Sequence, residues 1–143
     1  MSEVKTYDFK EVSCILGANQ ITGFEDSDDA IKVEPQANAF NTVVGADGEA
    51  TRSKSNNLSA KVTLKLLKTS LANDILNSYL QADRLSNSGI FPFLLKDNNG
   101  NELHTAEKMW IEKAPAVNRG TNAGVNEWVL MTHFMVSNYG GNN

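Results

Sequence analysis

The sequence has a single cysteine, a small net charge and no long apolar run. One cysteine stands among 143 residues, so no disulfide can form within the chain. The chain has 13 basic and 17 acidic residues, and a net charge of −4 disfavours a general nucleic-acid binder. No apolar run approaches the roughly 18 residues of a membrane span, and residues 1–10 are charged, without the apolar centre of a signal peptide. We therefore expect one soluble cytoplasmic domain over residues 1–143, without a membrane anchor.

Residues that carry chemistry are equally sparse. Zinc needs three or four converging ligands, but Cys14, His104 and His133 lie far apart in the sequence. We expect Cys14 to be a small core residue, His133 to have a structural or surface role, and His104 to be exposed after a turn. Residues 97–102 lack the glycine and glutamate positions of a calcium-binding loop and predict a hairpin turn instead. With no phosphate-binding glycine loop and no nucleophile elbow, the sequence predicts no enzyme, no metal and no cofactor.

Alternating apolar and polar residues predict most of the secondary structure. The clearest strand covers residues 59–67. Its apolar face carries Ala60, Val62, Leu64 and Leu66. Its polar face carries Lys61, Thr63 and Lys65. Further strands are predicted as a hairpin over residues 6–24 and as single strands over 31–34, 90–95, 105–113 and 128–136, with residues 139–143 as a flexible tail.

One segment has a helical period. Leu71, Ile75 and Tyr79 recur at four-residue spacing and predict an amphipathic helix over about residues 70–85. Thr69 or Ser70 can cap its start, and residues 87–89 can close its end. The apolar strand 90–95 is short enough to be buried on both faces, and Pro92 predicts an edge or a bulge there. The fold class is therefore mainly β: an antiparallel sandwich or barrel with one flanking helix.

A long polar stretch separates the strands near the middle of the chain. Residues 38–57 are rich in turn residues around one apolar island, formed by Phe40, Val43 and Val44. Asp47 and Gly48 form a typical hairpin tip. Connections of this length in a compact domain are usually functional or disordered. We predict a long extended hairpin, called the arm below.

Charge is distributed unevenly along the chain. Residues 25–34 hold five acids against Lys32, whereas residues 50–72 hold five basic residues and no acid. These segments can be two solvated faces. Alternatively, the basic arm of one subunit meets the acidic loop of another. Such a contact joins different patches of identical subunits and produces rings or open stacks.

Several short segments form a distinctive ordered series. They are KTYDFKEV at 5–12, VVGADGE at 43–49 followed by TRSK at 51–54, GIFP at 89–92 running into KD at 96–97, WIEK at 110–113, and EWVL at 127–130. In this order they resemble the small tail tube proteins of contractile-tailed bacteriophages over nearly the whole chain. The tube proteins of type VI secretion share that family's fold.

The resemblance implies a structural virion protein that is not an enzyme. Its subunits would form hexameric rings that stack head to tail into the hollow inner tube of a contractile tail, the conduit for DNA ejection. The implied partners are further copies, the tail sheath, and baseplate and tail-terminator proteins, with DNA passing through the lumen without specific binding. The location would be the virion, after assembly in the host cytoplasm. A small β-rich phage or bacterial binding or adhesion module remains the alternative.

The resemblance and the charge pattern together give the candidate contact residues. The family's extended hairpin corresponds to the arm and contributes Phe40, Val43, Val44, Asp47, Glu49, Arg52 and Lys54. Charge alone adds the acidic loop residues Asp26, Asp28 and Asp29 as the proposed partners of the arm. The polar face formed by Lys61, Thr63 and Lys65 could point to the lumen or to the sheath.

Overall fold

A computed structural model describes residues 4–142, and strands dominate it. The strands are β1 (Val12–Leu16), β2 (Asn19–Gln20), β3 (Ile31–Pro35), β4 (Phe40–Val44), β5 (Ala50–Lys54), β6 (Ala60–Leu67), β7 (Phe91–Asp97), β8 (Gly100–Lys113), β9 (Val125–Thr132) and β10 (Val136–Asn142). The helix α1 spans Ala72–Ser86, and a short 3-10 turn covers Phe9–Glu11. No helix within the described range is long and apolar enough to cross a membrane.

Eight of the strands form one antiparallel sheet. Seven follow the order β2-β1-β7-β8-β9-β6-β3, and β10 pairs with β8. Strand β8 has 14 residues and changes partner along its length, with β10 beside its first part and β9 beside its last part. The register shifts in β8 against both β7 and β9, and such bulges bend a sheet. The mainly β class with one flanking helix is confirmed.

The alternation of residues along the strands determines the core. The predicted apolar face of β6 is buried at all four positions, from Ala60 to Leu66, and the opposite side chains are half-buried. Phe91, Met109 and Leu130 extend this buried face across the sheet. Cys14 is buried among them, as predicted. Burying a side chain the size of leucine or phenylalanine stabilises the fold by about 1.5–3 kcal/mol.

Helix α1 packs on the buried side of the sheet. Leu76 is fully buried, and the ring of Tyr79 lies 4.4 Å from that of Phe91. The Ser70 hydroxyl accepts a hydrogen bond from the backbone N–H of Ala72, at 3.1 Å. Leu71, predicted to lie on the apolar stripe, is 80% exposed because the helix begins one residue after it. At the other end, Asn87 adopts the left-handed conformation and ends the helix, within the residues 87–89 predicted to close it.

Strand β7 confirms the bulge predicted at Pro92 but not burial on both faces. The register with β8 shifts between Phe91 and Phe93, on either side of Pro92. The strand lies between β1 and β8, and the Pro92 side chain is exposed on its outer face. The sheet therefore buries this apolar run on one side only. The turn predicted after the run joins β7 to β8 as a hairpin.

Predictions for the two ends of the chain were partly wrong. Of the hairpin predicted over residues 6–24, the structure forms only the short antiparallel pair of β1 and β2; a 3-10 turn precedes β1, and Phe24 forms a single bridge to Leu66. The last predicted strand breaks after Thr132, whose hydroxyl donates to the Lys108 carbonyl at 2.6 Å. Residues 139–142 belong to β10 and are not a free tail. Residue 143, the last residue of the predicted tail, lies outside the described range, as do residues 1–3.

Candidate assembly interface

The arm is a hairpin separate from the main sheet. Within residues 4–142, strands β4 and β5 pair only with each other, and all ten of their residues are exposed. At the tip, Gly45 donates its N–H to the Glu49 carbonyl at 2.7 Å, and the Asp47 carboxylate accepts from the Glu49 N–H at 3.3 Å. Gly48 has a φ of +91°, which favours glycine. The predicted extended hairpin is confirmed, and a two-stranded hairpin of this kind is marginally stable on its own.

The two faces of the arm differ in chemistry. Because side chains alternate along a strand, the register of β4 and β5 assigns each residue to a face. The first face carries Phe40, Thr42, Val44, Ala50, Arg52 and Lys54. The second carries Asn41, Val43, Thr51 and Ser53. On the first face, called the cationic face below, the Arg52 guanidinium lies 4.3 Å from the centre of the Phe40 ring.

A groove of about 590 Å³ opens near the start of β3. Its apolar lining consists of Phe9, Val12, Phe24, Ala30, Ile31 and Leu95. Its carboxylates are Glu25, Asp26, Asp28, Asp97 and Glu102. The rings of Phe9 and Phe24 meet edge to face at 5.7 Å between their centres. We call this site the acidic groove.

Tyr7, which also lines the acidic groove, reports its electrostatic character. Burial raises the pKa of the Tyr7 hydroxyl first, and the negative charges of Asp97, Glu102 and Asp8 raise it further. Removing a proton from Tyr7 would add a further negative charge to a site that already holds several carboxylates. The groove therefore has a negative potential over an apolar lining, which suits a cationic and apolar partner.

The three predicted acidic contact residues have different environments. Lys65 of β6 forms an ion pair with Asp29 at 2.9 Å. The hydrogen bond from Lys65 is the main reason that the pKa of Asp29 is lowered, and the same bond raises the pKa of Lys65. Asp26 and Asp28 line the acidic groove and form no ion pair with any other residue of the described range. Asp29 is thus engaged within its own chain, whereas Asp26 and Asp28 are available.

The polar face of β6 lies on the side of the sheet opposite the core. Lys61 stands opposite Glu34 of β3, and Lys65 stands opposite Glu127 of β9. Thr63 lies between them and is half-buried. The lysines are therefore interspersed with carboxylates from both neighbouring strands, and this face carries charges of both signs.

The two histidines have different environments. His104, predicted to be exposed, is only 2% exposed because β10 covers it. Its Nδ1 lies 2.8 Å from the Ser137 hydroxyl and its Nε2 lies 3.0 Å from a Glu102 carboxylate oxygen. His133 is exposed, and its ring stacks on Trp110. Across residues 4–142 no group of three potential ligands could hold a metal ion.

An exposed apolar patch at the base of the arm escaped the sequence predictions. Its members are Leu58, Phe134, Val136 and Tyr139. A parallel bridge joins Leu58 to Phe134, and a second groove of about 310 Å³ lies beside them. The patch combines Leu58 with residues that are distant from it in the sequence, so the periodicity of any one strand could not indicate it.

Comparison with known proteins agrees with an assembly subunit. The family model of the Bacteriophage PhiTE tail tube protein matches residues 4–137. The structural protein ORF10 of Pseudomonas phage KPP10 is 32% identical over 127 residues, which cover 87% of this chain and 73% of that protein. These relatives are structural components of phages. The chain belongs to the Bacteriophage PhiTE tail tube protein family.

Solved structures share the fold at low sequence identity. The cap that terminates the tube of the anti-feeding prophage superposes with a TM-score of 0.66, at 10% identity, over 96% of this chain and 94% of the other. A chain of the PVC sheath–tube complex, from an extracellular contractile injection system, gives 0.59 at 11% identity over 93% and 91%. A chain of the PVC sheath/tube terminator gives 0.60 at 12% identity over 96% and 99%. The arrangement of strands and helix is therefore that of proteins in contractile injection machines.

Proposed function

We propose that this chain forms the hollow inner tube of a contractile phage tail. Six copies close a ring, rings stack head to tail, and DNA leaves the virion through the lumen. Membership of a tail tube family supports the tube, and the fold shared with chains of contractile injection systems supports a contractile tail. The observation that carries the assembly is the arm, a wholly exposed hairpin that pairs with no other strand of the described chain.

The open edges of the sheet support closure into a ring. Strand β3 pairs on one side with β6 and has no strand on its other side within the described range. An unpaired edge is a template for another strand and invites uncontrolled association. Pairing of β3 with a neighbouring copy continues the sheet from subunit to subunit. A closed ring then leaves no such edge exposed.

The polar face of β6 suits the wall of a DNA channel. Lys32, Lys61 and Lys65 are interspersed with Glu34 and Glu127, so the wall offers no continuous row of positive charge. Affinity for DNA depends chiefly on neutralising successive phosphates with Lys and Arg. A surface of mixed sign retains water and lets DNA pass without specific binding. We assign this face, with Thr63 at its middle, to the lumen.

The remaining partners follow from the same role. A sheath encloses the tube, and terminator and baseplate proteins cover its ends. Proteins of the same fold occur in a sheath–tube complex, a sheath/tube terminator and a tube-terminating cap, which supports these contacts. The protein is a virion component, assembled in the host cytoplasm. It needs no catalytic residue, because a conduit acts by its shape and surface.

Electron microscopy of an arm deletion tests this function. Residues 40–54 are replaced by a short glycine linker, since Ser55 already donates its N–H to the Ala39 carbonyl at 2.9 Å and the ends are close. We expect the full chain to form rings and hollow tubes at high concentration and the deletion to remain a folded monomer by circular dichroism and mass. The control is Thr51→Ala on the second face of the arm, which should still assemble.

If the deletion variant still forms tubes, the arm has no role in assembly. If the full chain stays monomeric and binds another molecule instead of assembling, the alternative of a binding or adhesion module would be favoured over the tube.

A further inference from the structure

We infer that the cationic face of the arm binds in the acidic groove of a second copy. The inference rests on the proposed self-assembly and specifies which two surfaces meet. It assigns contact roles to Phe9, Phe24, Leu95, Asp97 and Glu102, none of which the sequence identified. It also selects one of the two faces of the arm.

The two surfaces match in charge. The cationic face carries Arg52 and Lys54 and no carboxylate. The groove carries five carboxylates and no basic side chain among its lining residues. Of these, Glu102 already lies 3.0 Å from His104, whereas Asp26, Asp28 and Asp97 form no ion pair with another described residue. Opposite potentials of this kind set the orientation and register of a contact.

The surfaces also match in their apolar content. The cationic face presents Phe40, Val44 and Ala50 between its charges. The groove offers the Phe9–Phe24 pair, Ile31 and Leu95. Phe40 and Val44 are 40% and 64% exposed, so the apolar area that this contact removes from water is still available. Burial of that area supplies the affinity, since exposed ion pairs alone contribute only about 0–1 kcal/mol each.

The position of the groove makes the occupant another copy. The groove lies at the start of β3, beside Ala30 and Ile31, whereas the arm leaves the far end of β3 after Pro35. The base of the arm lies instead beside the second groove, which Ala37, Asn38 and Asn57 line. Each arm strand has five residues and extends roughly 17 Å, away from that base. Because arm and groove are different patches, their contact is heterologous and continues from copy to copy.

The second face of the arm is the natural comparison. It carries Asn41, Thr51 and Ser53, which are uncharged, and Val43 as its apolar residue. It therefore lacks both the positive charge and the aromatic ring that the groove would attract. This contrast within one hairpin allows a test in which the fold and the reach of the arm stay constant.

Cysteine crosslinking between copies tests the pairing directly. One preparation carries Thr42→Cys on the cationic face, and the other carries Ser27→Cys in the lining of the groove. Mixing the two under mild oxidation should give a disulfide heterodimer. Each copy carries only one of the two introduced cysteines, so this disulfide must join a copy of one variant to a copy of the other. The matched control replaces Thr42→Cys with Thr51→Cys on the second face. The native Cys14 is buried and gives no background.

We expect the Thr42→Cys mixture to crosslink at least tenfold more than the Thr51→Cys mixture. Equal yields, or none with Thr42→Cys, would overturn the pairing. Electron microscopy of the same mixtures separates this failure from failure of the proposed function. Tubes without the crosslink would reject the groove and retain the tube, whereas neither tubes nor crosslink would count against both.

A charge exchange provides a second measurement. Arg52→Glu should raise the concentration needed for assembly about tenfold, which corresponds to about 1.4 kcal/mol per contact. Asp26→Lys in the same chain should recover most of that loss. The control is Arg119→Glu, the same change of charge at an exposed loop residue away from the arm, which should leave assembly unchanged. Absence of rescue, or an equal effect of Arg119→Glu, would contradict the pairing.

Discussion

Asn73 joins helix α1 to two strands, and its replacement should be costly. Its side-chain oxygen accepts hydrogen bonds from the indole N–H of Trp128 at 2.9 Å and from the amide of Asn126 at 3.0 Å. Its amide nitrogen donates to the carbonyls of Leu67 at 2.9 Å and Ser70 at 3.1 Å. One side chain thus connects the first turn of the helix, the end of β6 and the start of β9.

The expected loss follows from what Asn73→Ala leaves unpaired. Trp128 is only 4% exposed, so its indole N–H would lose its partner in a nearly dry site. An unsatisfied buried polar group costs about 1–3 kcal/mol, and the lost bond to Leu67 adds about 1 kcal/mol. Asn73 itself is half-buried, so water can reach part of the site. We therefore expect a decrease of about 2–3 kcal/mol in the free energy of unfolding.

Urea unfolding, followed by the fluorescence of the two tryptophans, measures this difference. The matched control is Asn77→Ala, one turn further along the same helix. Asn77 is exposed, and its side-chain oxygen accepts a hydrogen bond from Gln81 at 3.3 Å. The control should change stability by less than about 0.5 kcal/mol. A loss below about 1 kcal/mol for Asn73→Ala, or equal losses for the two variants, would refute this account of helix docking.

Three further predictions concern other parts of the fold. Burial raises the pKa of Cys14 to about 12, so its thiol should react with a disulfide reagent only on unfolding; rapid reaction in the native protein would contradict its core position. Because the pKa of Asp29 is lowered, its ion pair with Lys65 stabilises the fold above about pH 4 and is lost on acidification. The urea concentration at half-unfolding should therefore fall less steeply with decreasing pH in Asp29→Asn than in the native protein. An unchanged pH profile would argue against the pair. Gly89→Ala would place a methyl group against the Tyr79 carbonyl oxygen and should lower the thermal midpoint of unfolding. A midpoint equal to that of the native protein would show that this packing is wrong.

Local patterns in the sequence predicted those elements that local physics determines. Strand β6 followed from strict alternation, because one of its faces packs into the core and the other does not. The hairpin of the arm followed from Asp47 and Gly48, since few residues other than glycine adopt the required φ. The helix followed from its four-residue period, although Leu71 falls just outside it.

Long-range pairing explains the errors. Residues 139–142 include two glycines and suggested a flexible tail, yet they pair with the start of β8. The same pairing buries His104, which is in a polar segment and gives no local sign of burial. Neither result could be read from periodicity, because each depends on pairing with a strand that is distant in the sequence.

The candidate site was predictable in its charge but not in its shape. The basic and acidic segments are visible in the sequence, and the arm is where it was expected. The acidic groove is assembled from separate segments, with Phe9, Phe24 and Leu95 meeting only in the fold. The pairing of Asp29 with Lys65 across 36 positions also required the fold, and it separates this residue from Asp26 and Asp28.

End-on electron microscopy of the polymerised full chain tests most directly whether this protein builds a hollow tube. We predict closed rings with sixfold symmetry around an open channel, stacked in register along each particle. Solid filaments without a channel, or a chain that remains monomeric at every concentration even with preformed tail ends added as seeds, would contradict it.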